Sequence, residues 1–258
     1  MILGSVRVES MNFIIDTDYN FISPYAVTLL SSIVISFLIA VFLMIKSGVR
    51  KLIALVSAFI NFVSCLYFGY LYSVFTSGDI LEHLKIISFS SIGGLIGVAV
   101  GVIVIGSMFK EYRTRVIKAY ALVIPLMYSI SKIGCFLAGC CYGIEYSGIF
   151  NVVYSGSIAS CTEKSLFPVQ LAETLIFMVI FILGILLEYK FINKFTVPIL
   201  VIICTLSKGL LDFLRHSHTN SIISINQVSC LVILIIAIVF IIFKCRTYNQ
   251  DDLVHNGE

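Results

Sequence analysis

Five ionisable side chains lie within or beside the long apolar runs of this sequence: Lys132, Glu173, Lys208, Asp212 and Arg215. A charged side chain is costly inside a membrane segment, so such residues usually pair with one another or line a polar cavity. Residues 208 and 212 are four positions apart, and residues 212 and 215 are three apart. A helix would therefore place these three side chains on one face.

Two interpretations of these charges stay open. They form a structural ion-pair network that fixes helix packing, or they form an anion site. In the anion site, Lys132, Lys208 and Arg215 would hold a phosphate while Glu173 and Asp212 orient them. Such a clamp would stabilise the charge that develops on a leaving phosphate.

The segment 132–143 (Lys-Ile-Gly-Cys-Phe-Leu-Ala-Gly-Cys-Cys-Tyr-Gly) combines one cation, three glycines and three thiols at the end of an apolar run. Glycines allow a ligand or another backbone to approach closely. A second glycine cluster, Gly93-Gly94-Leu-Ile-Gly97, permits either close helix packing or the approach of a lipid head group.

Seven of the eight cysteines fall into two groups, and the eighth is Cys245. Three lie in apolar runs and are most simply small apolar fillers: Cys65, Cys204 and Cys230. Four lie near the site: Cys135, Cys140, Cys141 and Cys161. These four suggest packing or a disulfide from residue 161 to residue 140 or 141, a nucleophilic thiol, or a metal site. We expect no metal, because the spacing is not the paired C-x-x-C pattern.

The composition is that of a membrane protein. The chain has 258 residues, of which 59% are hydrophobic and only 12% are charged, and its mean hydropathy is +1.06. Apolar runs of about 20 residues recur along it, which is typical of transmembrane helices. We expect a single membrane domain over residues 1–258, embedded in a lipid bilayer, with no sizeable soluble domain and no nucleic-acid partner.

The predicted fold class is all-α, a polytopic integral membrane protein with seven transmembrane helices. The predicted spans are 22–45, 52–74, 86–109, 120–141, 168–189, 197–213 and 224–243. The connection 143–167 is polar and rich in Ser and Gly, and we expect it to form a structured cap rather than a free linker.

Lys and Arg residues in the connections set the predicted orientation. Eleven fall on one side: Lys46, Arg50, Lys51, Lys110, Arg113, Arg115, Lys118, Lys190, Lys194, Lys244 and Arg246. Six fall on the other: Arg7, Lys85, Lys132, Lys164, Lys208 and Arg215. This bias predicts an external N-terminus and a cytoplasmic C-terminus. It collects the unusual glycines, cations, carboxylates and amides of five spans, among them Gln170 and Gln227, in one layer near the outer surface.

His216 and His218 follow Arg215 at the same predicted surface. They form a solvated loop, or they serve as general bases beside an anion site.

Several of these pieces together resemble the prolipoprotein diacylglyceryl transferase family over most of residues 20–245. Segment 92–97 (Ile-Gly-Gly-Leu-Ile-Gly) is similar to the family's His-Gly-Gly-Leu-Ile-Gly, and segment 132–143 to its long signature Arg-x-Gly-Asn-Phe-x-Asn-Gly-Glu-x-x-Gly. Segment 167–173 (Phe-Pro-Val-Gln-Leu-Ala-Glu) is similar to His-Pro-Ser-Gln-Leu-Tyr-Glu, segment 208–215 to Arg-x-x-x-Glu-x-x-Arg, and segment 224–227 to Ser-Met-Gly-Gln.

The resemblance implies a transferase of a bacterial cytoplasmic membrane that moves diacylglyceryl from phosphatidylglycerol to the lipobox cysteine of a prolipoprotein and releases glycerol phosphate. It implies no metal or cofactor. The catalytic residues it implies are Lys132, Glu173, Lys208 and Arg215. The substrate-binding residues it implies are Gly93, Gly94, Gly134, Cys135, Gly139, Cys140, Gly143, Gln170, Asp212 and Gln227.

The chain also departs from the family pattern. Ile92 replaces the family's His, Cys135 and Cys140 replace an Asn and a Glu, and Cys204 replaces a Tyr. Lys132 and Lys208 stand where the family has arginines. A second hypothesis therefore stays open beside the transferase: a lipid- or anion-binding or transport protein on the same scaffold, or a transferase with another acceptor.

Overall fold

The computed structural model describes residues 6–9, 12–16, 24–76, 89–155, 164–190, 196–216, 224 and 227–239. Within them the chain is mostly helical, as predicted. Contacts divide the chain into two compact units. One comprises residues 1–29 and 129–258, and the other comprises residues 30–128.

Among the described residues, five helices are long and apolar enough to cross a bilayer. They are α1 (Pro24–Lys46), α2 (Lys51–Thr76), α3 (Ser91–Met108), α4 (Arg113–Leu137, preceded by the 3₁₀ turn Lys110–Tyr112) and α5 (Val169–Lys190). Large apolar side chains are exposed along them, among them Leu52 and Phe59, which are 73% and 70% exposed. Helices satisfy their own backbone hydrogen bonds, so they suit the interior of a lipid bilayer.

Two further apolar helices are shorter. Helix α6 (Thr196–Asp212) has 17 residues, and α7 (Gln227–Val239) corresponds to the seventh predicted span, which continues beyond the described residues. Seven crossings and the orientation of the termini stay predictions.

The fourth predicted span needs correction. It was placed at 120–141, but α4 runs from Arg113 to Leu137. The first two turns of α4 carry several charged side chains. A hydropathy criterion leaves these residues out of a predicted span, although they are helical. Its end comes early because Gly139 adopts φ +64°. Lys132 therefore lies inside the helix, whereas Cys140 and Cys141 lie beyond it.

Glycines account for the closest helix contact in the unit of residues 30–128. A Cβ at Gly93 would lie 2.3 Å from the carbonyl oxygen of Phe68, and a Cβ at Gly97 would lie 2.2 Å from that of Ser64. Helix α3 therefore packs directly on the backbone of α2, which is the close helix approach that small residues permit.

The unit of residues 1–29 and 129–258 contains a four-stranded sheet that the all-α prediction omitted. Strands β1 (Val6–Glu9), β2 (Asn12–Asp16), β3 (Val152–Ser155) and β4 (Ser165–Leu166) are neighbours in that order. Strand β2 pairs in parallel with β3, and the other two pairs are antiparallel. The strands are short, and the pairing of β2 with β3 joins segments that are distant in sequence, so no local pattern indicated the sheet.

The sheet has a small core of its own. Ile15, Val152, Tyr154 and Leu166 are buried together with Phe136 from the end of α4. The predicted cap 143–167 carries β3 and β4, and its residues 156–163 lie outside the described residues. The sheet therefore rests on the end of α4, next to the segment that carries the thiols.

Replacement of Gly97 by alanine tests the α2–α3 contact. The added Cβ would meet backbone atoms of Ser64, which cannot move aside as a side chain can, so we expect the free energy of unfolding to fall by about 1–3 kcal/mol. Gly209→Ala is the matched control, because its Cβ would meet nothing closer than the Cβ of Cys230 at 3.9 Å. Thermal unfolding in detergent compares the two, and equal midpoints for both variants would contradict the packing argument.

Candidate functional site

Glu173 is the centre of the charged cluster. It lies in the second turn of α5 and is fully buried. Its Oε2 is 3.1 Å from Lys132 Nζ, its Oε1 accepts a hydrogen bond from Lys208 Nζ at 2.9 Å, and Arg215 Nη2 donates to both oxygens at 2.8 and 3.0 Å. One carboxylate thus binds three cations from three parts of the chain.

Asp212 extends the cluster along α6. Its Oδ1 lies 3.9 Å from Lys208 Nζ and 3.6 Å from Arg215 Nε. Lys208 and Asp212 lie on one helix as the spacing predicted, but the helix ends at Asp212, so Arg215 approaches from the segment after it. Asp212 is also fully buried and accepts a hydrogen bond from the hydroxyl of Ser224. The predicted site residues of the fourth, fifth and sixth spans are therefore brought together, with Ser224 beside them.

Reciprocal hydrogen bonds fix α4 against α5 next to the cluster. The Ser129 hydroxyl donates to the carbonyl of Thr174 at 2.8 Å, and the Thr174 hydroxyl donates to the carbonyl of Ser129 at 3.3 Å. These residues are one turn or less from Lys132 and Glu173. Close packing of α4 on α1 adds to this, because a Cβ at Gly134 would lie 1.8 Å from the Thr28 hydroxyl oxygen.

The charges do not cancel. Three cations face two carboxylates, so the cluster carries a net charge of +1 when all five groups are ionised. Four of the five residues are at most 7% exposed, and the side chain of Lys208 is 17% exposed. A net positive charge of these five groups in a buried position favours an anion.

A Schellman motif brings the three thiols of segment 132–143 together. The backbone N–H of Cys140 donates to the carbonyl of Cys135 at 3.1 Å, and that of Gly139 donates to the carbonyl of Phe136 at 3.4 Å. Glycine suits the left-handed position 139 because it has no Cβ. The first and last residues of this motif normally contact each other, and here both are cysteines.

The third thiol joins the other two through an unusual backbone. Cys141 has φ +55°, a conformation that few non-glycine residues adopt. All three Sγ atoms lie within 4.8 Å of one another, with Cys135 buried and Cys141 exposed. Hydrogen bonds from the thiols of Cys135 and Cys140 lower the pKa of Cys141 well below its ordinary value, and the charges of Lys132 and Arg215 act in the same direction.

Gln170 connects the thiol segment to the sheet. Its Nε2 donates to the carbonyl of Cys140 at 2.9 Å and to the hydroxyl of Tyr154 at 3.3 Å. Gln170 is fully buried, and its Oε1 has no hydrogen-bond partner among the described residues. The sequence pattern indicated Gln170 but not Tyr154, because the strand that places Tyr154 could not be predicted.

Backbone hydrogen bonds hold segment 142–146 between the segment at Leu214 and the segment at Phe167. Ile144 N donates to the carbonyl of Leu214, and Phe167 N donates to the carbonyl of Ile144, at 3.0 and 2.9 Å. A Cβ at Gly143 would lie 2.4 Å from the carbonyl oxygen of Phe167, so this position requires glycine. The predicted glycine of the long signature therefore serves backbone packing beside Arg215.

Ser224 and Gln227 form a capping box at the start of α7. The N–H of Gln227 donates to the Ser224 hydroxyl at 3.1 Å, and the N–H of Ser224 donates to Gln227 Oε1 at 3.2 Å. This reciprocal arrangement satisfies two helix-start donors. Gln227 was predicted to bind substrate, and in the structure its Oε1 serves the cap.

Other predicted residues lie elsewhere or outside the described residues. Gly93 and Gly94 belong to the other unit, where Gly93 packs against α2, and their substrate-binding role stays a prediction. The ring of His216 packs 5.2 Å from that of Tyr142, and His218 is not among the described residues. Cys140 and Cys141 are free thiols, while Cys161, the other half of the predicted disulfide, lies outside the described residues.

Apolar helices long enough to span a membrane and a buried charged cluster at their ends define a multi-pass membrane protein with an embedded polar site. A family model described as prolipoprotein diacylglyceryl transferase matches residues 14–243, and the chain belongs to this family. The family predicted from the motifs is thereby confirmed.

The chain is also similar to the phosphatidylglycerol–prolipoprotein diacylglyceryl transferase 2 of Clostridium perfringens (strain 13 / Type A). The two are 29% identical over 152 residues. That match covers 55% of this chain and 57% of the relative's own length.

Replacement of Glu173 by glutamine tests the centre of the cluster. It would leave three buried cations with one carboxylate among them, so we expect the free energy of unfolding to fall by about 3 kcal/mol or more. Glu145→Gln is the matched control, since Glu145 is exposed and pairs with exposed Lys164. Thermal unfolding in detergent should show a lower midpoint for the first variant alone. Equal midpoints would mean that the buried pairs do not stabilise the fold.

Proposed function

We propose that this protein transfers a diacylglyceryl group from phosphatidylglycerol to the cysteine thiol of a prolipoprotein. Family membership supports the reaction class, and the name of the Clostridium perfringens relative supports the donor and acceptor. The observation that carries the proposal is the buried cluster around Glu173, in which three cations face two carboxylates.

The cations would act on the phosphate of the donor lipid. The acceptor sulfur attacks the glyceryl carbon, the bond from that carbon to the phosphate oxygen breaks, and glycerol phosphate leaves with the bonding electron pair. Charge therefore develops on a phosphate oxygen, where fixed cations in a water-poor site are most effective. Arg215 offers a planar fork of donors, whereas Lys132 and Lys208 act as point charges.

Glu173 and Asp212 would hold these cations in place before the lipid arrives. Both carboxylates are fully buried, and each contacts at least two cations. They thereby fix the positions of the cations and neutralise two of their three charges. The remaining charge of +1 is available to the phosphate. Preorganisation of this kind avoids reorientation of the site during the reaction.

Gln170 would contact the polar part of the donor. Its buried Oε1 has no partner among the described residues, and an unpaired buried acceptor is costly unless a ligand satisfies it. Phosphatidylglycerol carries glycerol hydroxyl groups that can donate to this oxygen.

A second candidate is a lipid- or anion-binding protein without transfer activity. The feature that favours it is the complete mutual pairing of the charged cluster, in which each cation already contacts a carboxylate. In that case the cluster would bind a phosphate head group without cleaving its ester.

A transfer assay separates these candidates. The purified protein in detergent receives phosphatidylglycerol labelled in its acyl chains and a lipobox peptide, and label on the peptide is measured. We expect transfer by the wild type and a loss of about 100-fold or more for Lys132→Ala. Lys164→Ala is the control, because Lys164 is an exposed cation that pairs with Glu145 and not with Glu173. A peptide with Ser in place of Cys should take up no label.

Lipid binding is measured in parallel. Binding that falls in Lys132→Ala without any transfer supports the second candidate. If the wild type neither transfers nor binds the lipid, the anion-site proposal is wrong and the charges are structural.

The proposed orientation places the C-terminus in the cytoplasm of a bacterial cell. A green fluorescent protein fused after residue 258 should fluoresce, and alkaline phosphatase at the same position should be inactive, because each reporter folds on one side only. The reverse pattern would invert the proposed topology and place the site on the opposite face.

A further inference from the structure

We propose that Cys135, Cys140 and Cys141 form a three-thiolate site for Zn²⁺ whose fourth position receives the acceptor thiol. The binding of zinc concerns these residues alone, whereas the role of the fourth position rests on the proposed transferase function. Sequence spacing argued against a metal, because the pattern C-x-x-x-x-C-C is not a paired C-x-x-C. The folded backbone brings the three sulfurs together all the same.

Geometry is the first argument. Tetrahedral zinc with Zn–S bonds of about 2.3 Å places its sulfurs about 3.8 Å apart. The three Sγ atoms already lie within 4.8 Å of one another. A contraction of at most about 1 Å would therefore complete the site, which rotation of three short side chains can supply.

The backbone is the second argument. The Schellman motif pairs Cys135 with Cys140, and Gln170 holds the Cys140 carbonyl from the sheet side. Cys141 is kept at φ +55°, a strained conformation of the kind that clusters at functional sites. Simple apolar packing of three small side chains would not require that strain.

Charge is the third argument. Three thiolates and one Zn²⁺ carry a net charge of −1. The cluster around Glu173 carries +1, and two of its cations, Lys132 and Arg215, act on the sulfur of Cys141. Before the lipid and the acceptor bind, the two groups together would be neutral, so the buried site would not have to hold a net charge at rest.

The chemistry suits the proposed reaction. A thiol that binds Zn²⁺ releases its proton to solvent and stays nucleophilic. The acceptor sulfur, held at the open fourth position, would form its bond to the glyceryl carbon as the carbon–oxygen bond breaks and glycerol phosphate departs. The product is a neutral thioether, a poorer ligand than a thiolate, and would dissociate. Exposed Cys141 leaves one side of the site accessible.

Metal binding is tested on the full-length protein in detergent, reduced and stripped with a chelator. We expect about one Zn²⁺ per chain in a competition titration against a chromophoric chelator. Co²⁺ should give intense thiolate-to-metal charge-transfer absorption. Cys141→Ser, at the exposed position, should weaken both at least tenfold and leave the unfolding midpoint of the metal-free protein unchanged. Cys65→Ser, which alters a buried thiol of the other unit, should bind as the wild type does.

Other outcomes overturn the assignment. A wild type without bound metal, or metal binding unaffected by Cys141→Ser, would exclude a thiolate site. A disulfide among the three cysteines, found by mass spectrometry of the unreduced protein as isolated from membranes, would replace it with a redox pair.

The acceptor is tested with the lipobox peptide added to the Co²⁺ form. We expect the charge-transfer band to intensify, and a peptide with Ser in place of Cys to leave it unchanged. An unaltered spectrum with both peptides would contradict the proposal that the acceptor thiol is the fourth ligand.

This readout needs no lipid, so it distinguishes two failures. Transfer by metal-free protein would leave the proposed function standing and refute the proposed role of the metal in that transfer. Metal and peptide binding without transfer would do the opposite.

Discussion

The carboxylate of Glu173 is the interaction on which the rest of the site depends. It binds three cations that come from α4, from α6 and from the segment after α6. Without it, those cations would repel one another in a region from which water is largely excluded. The positions of Lys132, Lys208 and Arg215 are therefore consequences of one buried negative charge, and Asp212 and Ser224 tie the start of α7 to the same centre.

Sequence predicted the helices and the charged cluster for one reason. The helices depend on apolar residues, which are abundant within a bilayer, and the cluster depends on ionisable residues, which are rare there. An apolar run identifies a helix locally, and an ionisable residue inside such a run has few alternatives to pairing with another. Lys208 and Asp212 also share a helix face by spacing alone, whereas Arg215 joins them from beyond the end of α6. The partnership of Lys132 with Glu173 followed only from placing the ends of two spans in one layer.

The sheet and the thiol cluster could not be predicted in this way. Strand β2 finds its partner β3 far along the chain, so no local period marks either. The three thiols meet because Gly139 and Cys141 adopt positive φ values, and a sequence does not show which cysteine will do so. Gly143 and Gln227 were predicted to bind substrate, and the contacts that the structure gives them are structural: the first lets backbones approach, and the second caps a helix.

The parallel pairing of β2 with β3 constrains how the chain can thread a membrane. Residues 12–16 and 152–155 are hydrogen-bonded neighbours in one sheet, so both segments must occupy the same side of the bilayer. The chain between them must then cross an even number of times, whichever side that is. Four long apolar helices, α1 to α4, lie in that interval, and one crossing by each satisfies the parity.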